Sequence, residues 1–237
     1  MTAFDQRAAS CHCEWGVIGL AALAPAHVVI VVDVLSFSTC VDIAVSRGAA
    51  VLPYEWKDGS AGTFAERQRA ELAGPRQSSR YSLSPASFVD APAGLRCVLP
   101  SPNGAALTLR AGATSAVVLA GCLRNASAVA HRAQQLGSTF NVCPAGERWP
   151  DGSLRPAVED WIGAGAILRQ LPGPNSPEAD AAIAAFEHCQ HALAVTIAQS
   201  SSGRELIERG FPQDVELASA LDVSTHAPRF DGLAFTG

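Results

Sequence analysis

His27 to Val32 is an unbroken run, His-Val-Val-Ile-Val-Val, that stops at Asp33. A strand with one wet face alternates apolar and polar residues. This run does not alternate, so it predicts a strand covered on both faces. Such a strand needs helices above and below its sheet, which confines the chain to an α/β architecture. The rest of the sequence fits that frame. Further strands are expected over His12–Gly16, Ala49–Pro53, Arg96–Leu99, Ser115–Leu119 and Phe140–Cys143, about five or six in all. Helices are expected from Ser38 or Thr39 to Arg47, over Ala61–Leu72, Ala105–Arg110, from Arg124 or Asn125 to Leu136, and over Val158–Leu171. A short helical turn runs through Leu20–Ala24, and Pro85–Val89 reads as another single turn. Gly163 and Gly165 permit close packing of the Val158–Leu171 helix. The final third reads as helical over Ala179–His191, Leu193–Ser200, Gly203–Glu208 and Asp214–Leu221. The segment after Cys143 is a loop rich in glycine, proline and charge.

A length of 237 residues suits one large α/β domain or two small ones. Prolines and glycines are dispersed and form no linker, so a single domain over 1–237 is expected. Charged residues are only 16% of the chain and its formal net charge is −5. An apolar content of 48% excludes a mostly disordered chain. Without a basic excess the chain has no footprint for nucleic acid. Its longest apolar run, Val28 to Val32, is far short of the ~20 residues that a membrane span needs. A weakly charged surface is easily buried against a second copy, so a homodimer is expected. Met1 to Ala9 shows no leader pattern, and seven cysteines match no disulfide framework. Both features point to a reducing cytoplasm. Cys11-His12-Cys13 has soft metal ligands, but no partner stands at zinc-finger spacing, so a structural role is expected.

Polar groups gather just beyond strand ends, where open α/β sheets collect their ligands. Asp33 follows the first buried strand. Its carboxylate either contacts a ligand or metal, or caps the next helix, imperfectly given its distance from Ser38. Asn103 follows the 96–99 strand, Arg124 and Asn125 the 115–119 strand, and Glu147 and Arg148 the 140–143 strand. Asn103 and Asn125 each precede a helix, where capping and phosphate contact are both open to them. Glu147, next to Gly146, is suited to share a magnesium ion with Asp33, since that hard cation prefers oxygen ligands. Arg148 offers a five-donor fork to an anion or pairs at the surface. Glu159 and Asp160 begin an apolar helix; they either favour its dipole, or Asp160 adds a metal ligand or holds metal-bound water. Arg155 orients its segment or binds an anion. No dinucleotide fingerprint, Walker A loop or nucleophile elbow occurs, and the histidines suggest no general-base triad. Carboxylates and amides are left to carry the chemistry, which suits metal-assisted work on a phosphate or carboxylate substrate.

Several stretches resemble the 2-phosphosulfolactate phosphatase family. They are Val31-Val32-Asp33-Val34-Leu35, Ser101-Pro102-Asn103-Gly104, Gly121-Cys122-Leu123-Arg124-Asn125-Ala126, and Ala145-Gly146-Glu147 with Glu159-Asp160. The tail, with Ser202-Gly203-Arg204-Glu205-Leu206, Gly210-Phe211, Asp214-Val215 and Leu221-Asp222, is similar too. Each motif is short, but their order holds over roughly residues 12 to 230.

The resemblance implies a three-layer α/β/α sandwich with a predominantly buried sheet and a magnesium-dependent phosphatase. The family's typical substrate is (2R)-O-phospho-3-sulfolactate, cleaved to 3-sulfolactate and phosphate in coenzyme M biosynthesis. Asp33, Asn103, Asn125, Glu147, Glu159 and Asp160 match its recurring polar positions. Joined to the chemistry above, this gives Asp33, Glu147 and Asp160 as metal ligands, and Asn103, Gly104, Arg124, Asn125 and Arg155 as substrate contacts. Asp33, Arg148 and Asp160 are the catalytic candidates, Arg148 neutralising the leaving oxygen and Asp160 orienting an attacking water. An aspartyl-phosphate on Asp33 is the competing route. Three departures stand out. Ser36-Phe37 replaces the family's usual Arg-Ala, Ala73-Gly74-Pro75 replaces Ala-Gly-Glu, and Ser82-Leu83-Ser84-Pro85 replaces Gly-Asn-Ser-Pro. Arg148, Arg155 or Arg124 is the expected compensation for the missing cation. Two alternatives follow: a non-catalytic small-anion binding protein on the same fold, and a phosphatase for a non-sulfonated phosphorylated acid.

Overall fold

The first buried strand sits near the middle of a sheet that takes in nine strands, in a computed structural model describing residues 3–55 and 58–237. The strands are β1 (Cys11–Cys13), β2 (Val28–Val32), β3 (Ala50–Tyr54), β4 (Glu71–Leu72), β5 (Arg96–Pro100), β6 (Val117–Gly121), β7 (Phe140–Pro144), β8 (Glu147–Arg148), β9 (Leu154–Arg155), β10 (Arg229–Phe230) and β11 (Phe235–Thr236). The sheet order is β1-β7-β2-β6-β10-β11-β3-β5-β4, and β8 and β9 form a separate hairpin. The helices are α1 (Gly16–Ala22), α2 (Phe37–Ser46), α3 (Gly59–Gln68), α4 (Gly104–Gly112), α5 (Ala126–Leu136), α6 (Val158–Leu168), α7 (Pro177–Cys189), α8 (Leu193–Gln199), α9 (Ser201–Glu208) and α10 (Pro212–Ser219). Met1 and Thr2, where the leader reading began, lie outside the described residues.

Every residue of β2 is buried, and the two faces of the strand serve different cores. Val28, Ile30 and Val32 pack with Val129, Ala133, Ile162 and Ile167 of α5 and α6. Val29 and Val31 pack with Phe37, Val41, Leu107 and Leu20 of α2, α4 and α1. That division is the three-layer α/β/α sandwich. Gly165 lets α6 lie against the Ala182 carbonyl of α7, where no Cβ would fit.

β1, β7, β2 and β6 are mutually parallel, as are β3, β5 and β4. The C-terminal hairpin β10–β11 joins the two groups through antiparallel pairings, so they run in opposite senses along the ladder. Five neighbour steps separate β2 from β5. At roughly 20–25° of twist per step the accumulated turn is on the order of 100°. The residues just past β5 meet those just past β2 and β7, with Gly104 N–H on Asp33 and Asn103 on Glu147.

The longer elements fall where the sequence places them. Four differences have physical causes. The helix expected to reach Leu72 ends at Gln68, because Arg69 takes a left-handed conformation with φ 50°. Leu72 then pairs with Val98 as an edge strand. The loop after Cys143 contains the β8–β9 hairpin, entered through Gly146 at φ 68°. The two-residue strands β10 and β11 are too short to show a period. Cys11 and Cys13 point into one core, while the His12 ring binds Asn141 Oδ1 at 2.7 Å and the Ala9 carbonyl at 3.0 Å. Among the described residues no helix is long and apolar enough to cross a membrane.

Candidate active site

Asp33 closes β2 and lies at the start of two helices. The Phe37 N–H of α2 donates to its Oδ1 at 2.9 Å, and the Gly104 N–H of α4 donates to its Oδ2 at 3.0 Å. First-turn amides lack partners within their own helix and present positive dipole ends, so the buried carboxylate satisfies both. The capping reading of Asp33 is met at both helices, and the residue also lines a cleft. Gly104 is required at its position: a Cβ there would stand 2.6 Å from Asp33 Oδ2 and 2.5 Å from Phe37 Cδ1.

Asn103 makes no side-chain cap for α4. Its Nδ2 instead donates to Glu147 Oε2 at 2.9 Å. Burial pushes the Glu147 carboxyl up to about 7, reinforced by the nearby charges of Asp33 and Glu159 and opposed by Arg155 and the Asn103 hydrogen bond. Asp160 ties two loops together. It accepts from Val34 N–H at 2.7 Å and from Gly146 N–H at 2.9 Å, fixing the segment after Asp33 to the turn before Glu147. Burial pushes Asp160 up as well, with Asp33 and Glu159 adding to it and the two N–H groups opposing. Among the described residues no group of three His, Cys, Asp or Glu side chains is arranged to hold a metal ion. The expected trio of Asp33, Glu147 and Asp160 is thus not gathered as one ligand set: Asp33 and Glu147 line one cleft, and Asp160 does not line it. The pair Asp33 and Glu147 still fits magnesium, which typically takes one or two carboxylates and completes its shell with water and substrate phosphate. The negative charge of Asp33, which raises the Glu147 carboxyl, is also what a divalent cation would offset.

Asp33, Asn103 and Glu147 line a cleft of about 530 Å³, together with Ser36, Arg76 and Ser202. The expected arginines are distributed unequally. In the β8–β9 hairpin Glu147 opposes Arg155. Arg155 donates to Ser202 Oγ at 3.1 Å and lies over the Trp149 ring, with its charge felt at Glu147. Arg148, the exposed residue of β8, donates to the carbonyls of Pro102 at 2.9 Å and Gly152 at 3.3 Å. It buttresses the loop that carries Asn103.

Arg124 and Asn125 do not reach the cleft. Arg124 pairs with Asp42 at 3.0 Å and caps the Leu217 carbonyl of α10 at 3.1 Å. Asp42 is fully buried in α2, and an unpaired charge there would be costly, so it captures the arginine that the strand-end pattern offered. Asn125 Oδ1 accepts from Cys122 N–H at 2.9 Å, and its Nδ2 donates to the Ala120 carbonyl at 3.2 Å, which spends the amide on its own turn.

Arg76 is the cleft residue that sequence reasoning missed. It pairs with Asp214 and donates to Ser36 Oγ at 3.1 Å. Its partner lies 138 positions away in sequence, so no local pattern announces it.

The model of the family described as 2-phosphosulpholactate phosphatase matches residues 20–232 of the chain. A protein of Gloeobacter violaceus named "Probable 2-phosphosulfolactate phosphatase" is 28% identical over 211 residues, covering 84% of this chain and 86% of that protein. The "2-phosphosulfolactate phosphatase" of Methanothermobacter thermautotrophicus is 27% identical over 205 residues, covering 84% of each. A Symbiobacterium thermophilum protein, also named "Probable 2-phosphosulfolactate phosphatase", is 28% identical over 219 residues and is covered to 91%. With its family model spanning nearly the whole sandwich and the cleft carboxylates inside the matched region, the chain belongs to the 2-phosphosulfolactate phosphatase family of phosphoric monoester hydrolases.

Proposed function

We propose that this cleft hydrolyses a small phosphorylated hydroxy acid with the help of magnesium. Given the family, (2R)-O-phospho-3-sulfolactate, released as 3-sulfolactate and phosphate, is the first substrate to try. The observation that carries the reading is the meeting of Asp33 and the Asn103–Glu147 pair in one cleft. Asp33 and Glu147 are the residues that would hold the ion. Once bound, magnesium supplies positive charge to the phosphoryl oxygens, which is the main demand of phosphoryl transfer.

The chain's own groups do the rest. The amides of Phe37 and Gly104 fix the Asp33 carboxylate without any reorganisation during reaction. Asn103 fixes Glu147, and Asp160 fixes the backbone on both sides. Asp160 acts here as a positioning residue. Arg155 offsets the negative charge beside Glu147, where a phosphate dianion adds to it. Water is the attacking group in this reading, with an aspartyl-phosphate on Asp33 as the alternative. All seven cysteines are free thiols, a state that a reducing cytoplasm would keep.

Phosphate release from a panel of small phosphorylated hydroxy acids, with and without magnesium, tests the proposal. Metal-dependent release from a member supports it. The second reading, an anion-binding protein without turnover, draws on the departures at Ser36 and Pro75. It predicts binding and no release from any member.

A further inference from the structure

The phosphatase reading uses the carboxylates of the cleft and leaves its buried cation without a task. Arg76 lines the cavity with its side chain only 13% exposed. Its guanidinium is held on three sides. One nitrogen pairs with Asp214, a second donates to Ser36 Oγ at 3.1 Å, and the plane lies 5.4 Å from the centre of the Phe211 ring. Asp214 is itself anchored. Its Oδ1 accepts from Ser84 Oγ at 2.6 Å and from Ala86 N–H at 3.2 Å, and it is 1% exposed. The fork is therefore fixed before any ligand arrives. It has five N–H donors, and these partners use two of them.

Ser36 and Asp33 are three residues apart, a backbone reach of at most about 10 Å. Arg76 and the carboxylate site thus lie within the span of one small molecule. Arg155 stands on the Glu147 side of the site, held on Ser202 and over Trp149. Arg124 is committed to Asp42, Arg148 to carbonyls, and Arg209, at the cleft lining, makes an exposed pair with Glu205.

We propose that Arg76 binds a second oxyanion of the substrate, a carboxylate or sulfonate carried beside the phosphorylated carbon, and so confines the enzyme to phosphorylated acids. A guanidinium fork matches such a group bidentately, and a prearranged fork loses little freedom on binding it. Ser36 and Asp214 act as its positioning residues. The inference rests on the phosphatase reading for the word substrate, but its test does not need turnover.

The probes are 3-sulfolactate and lactate, two acids without phosphate, titrated calorimetrically into the full chain. In Arg76→Lys the charge facing Asp214 is kept and the fork is lost. The expected result is at least a tenfold rise in the dissociation constant of 3-sulfolactate in this variant. Loss confined to 3-sulfolactate assigns the sulfonate to Arg76; loss with lactate as well assigns the carboxylate. Should Arg76→Lys not fold, the double variant Arg76→Gln/Asp214→Asn removes the ion pair as a unit and is expected to lose the same binding. Unchanged binding in the folded variants overturns the proposal, as does failure of the wild type to bind either probe. Phosphate release by the same wild-type preparation reports separately. Binding that depends on Arg76 without release of phosphate from any ester sinks the phosphatase reading and leaves this one standing.

Discussion

Replacing Glu147 with glutamine should stabilise the metal-free protein while removing its response to magnesium. Burial beside Asp33 raises this carboxyl from 4.5 to about 7. Between those values the folded state holds a proton that the unfolded chain has released. Stability is therefore fully present below the unfolded value and declines as pH rises through about 7. That difference corresponds to about 3 kcal/mol at alkaline pH. Glutamine carries no charge to bury, and its carbonyl can still accept the Asn103 hydrogen bond. In EDTA at pH 8, Glu147→Gln should exceed wild type by about 3 kcal/mol in urea denaturation, or roughly 6–12 °C in Tm for a domain of this size. Near pH 4.5 the two proteins should nearly coincide. Saturating magnesium should restore the wild type, by about 2.7 kcal/mol at a hundredfold excess over Kd, and leave the variant unmoved. A variant less stable than wild type at pH 8 without metal, or a gap equal at both pH values, would refute the reasoning.

Three further substitutions separate the site from its scaffold. Asn103→Ala removes a hydrogen bond that favours the ionised Glu147, so the pH midpoint for magnesium-induced stabilisation should move alkaline by about one unit. Thermal scans across pH with and without metal read this directly. Gly104→Ala drives a Cβ against Asp33 and Phe37, so kcat/KM for phosphate release should fall about 100-fold, the usual effect of misplacing a reacting group. Arg124→Ala strands the buried Asp42 and should cost about 3–5 kcal/mol in chemical denaturation, with the specific activity of the folded fraction unchanged. A selective rise in KM for Arg124→Ala would return that residue to the substrate site.

The fold was legible where burial is extreme. A strand as apolar as Val28–Val32 has only one environment available, and its flanking helices carry their own stop signals. The gathering of Asp33, Asn103 and Glu147 in one cleft was legible by another rule: each follows a strand, and those strand ends meet. That rule carries no information on what else competes for a side chain. Arg124 obeys it too, yet Asp42 on α2 needs a cation more than the cleft does. Asn125 obeys it and is consumed by its own turn. Arg148 lost its place by strand alternation, since Glu147 and Arg148 are neighbours in β8 and one of them must face out. Arg76 was invisible because its meaning depends on Asp214 and Ser36, both distant in sequence. The strands β10 and β11, with two residues each, offer no period, though they bridge the two halves of the sheet.

The account stands or falls on Asp33, a carboxylate fixed by two helix starts just past β2. The deciding measurement is phosphate release from (2R)-O-phospho-3-sulfolactate as a function of magnesium, in wild type and in Asp33→Asn. The account predicts release by the wild type that rises with magnesium, and no metal-responsive release by the folded variant. Release by Asp33→Asn with the wild-type magnesium dependence would contradict it.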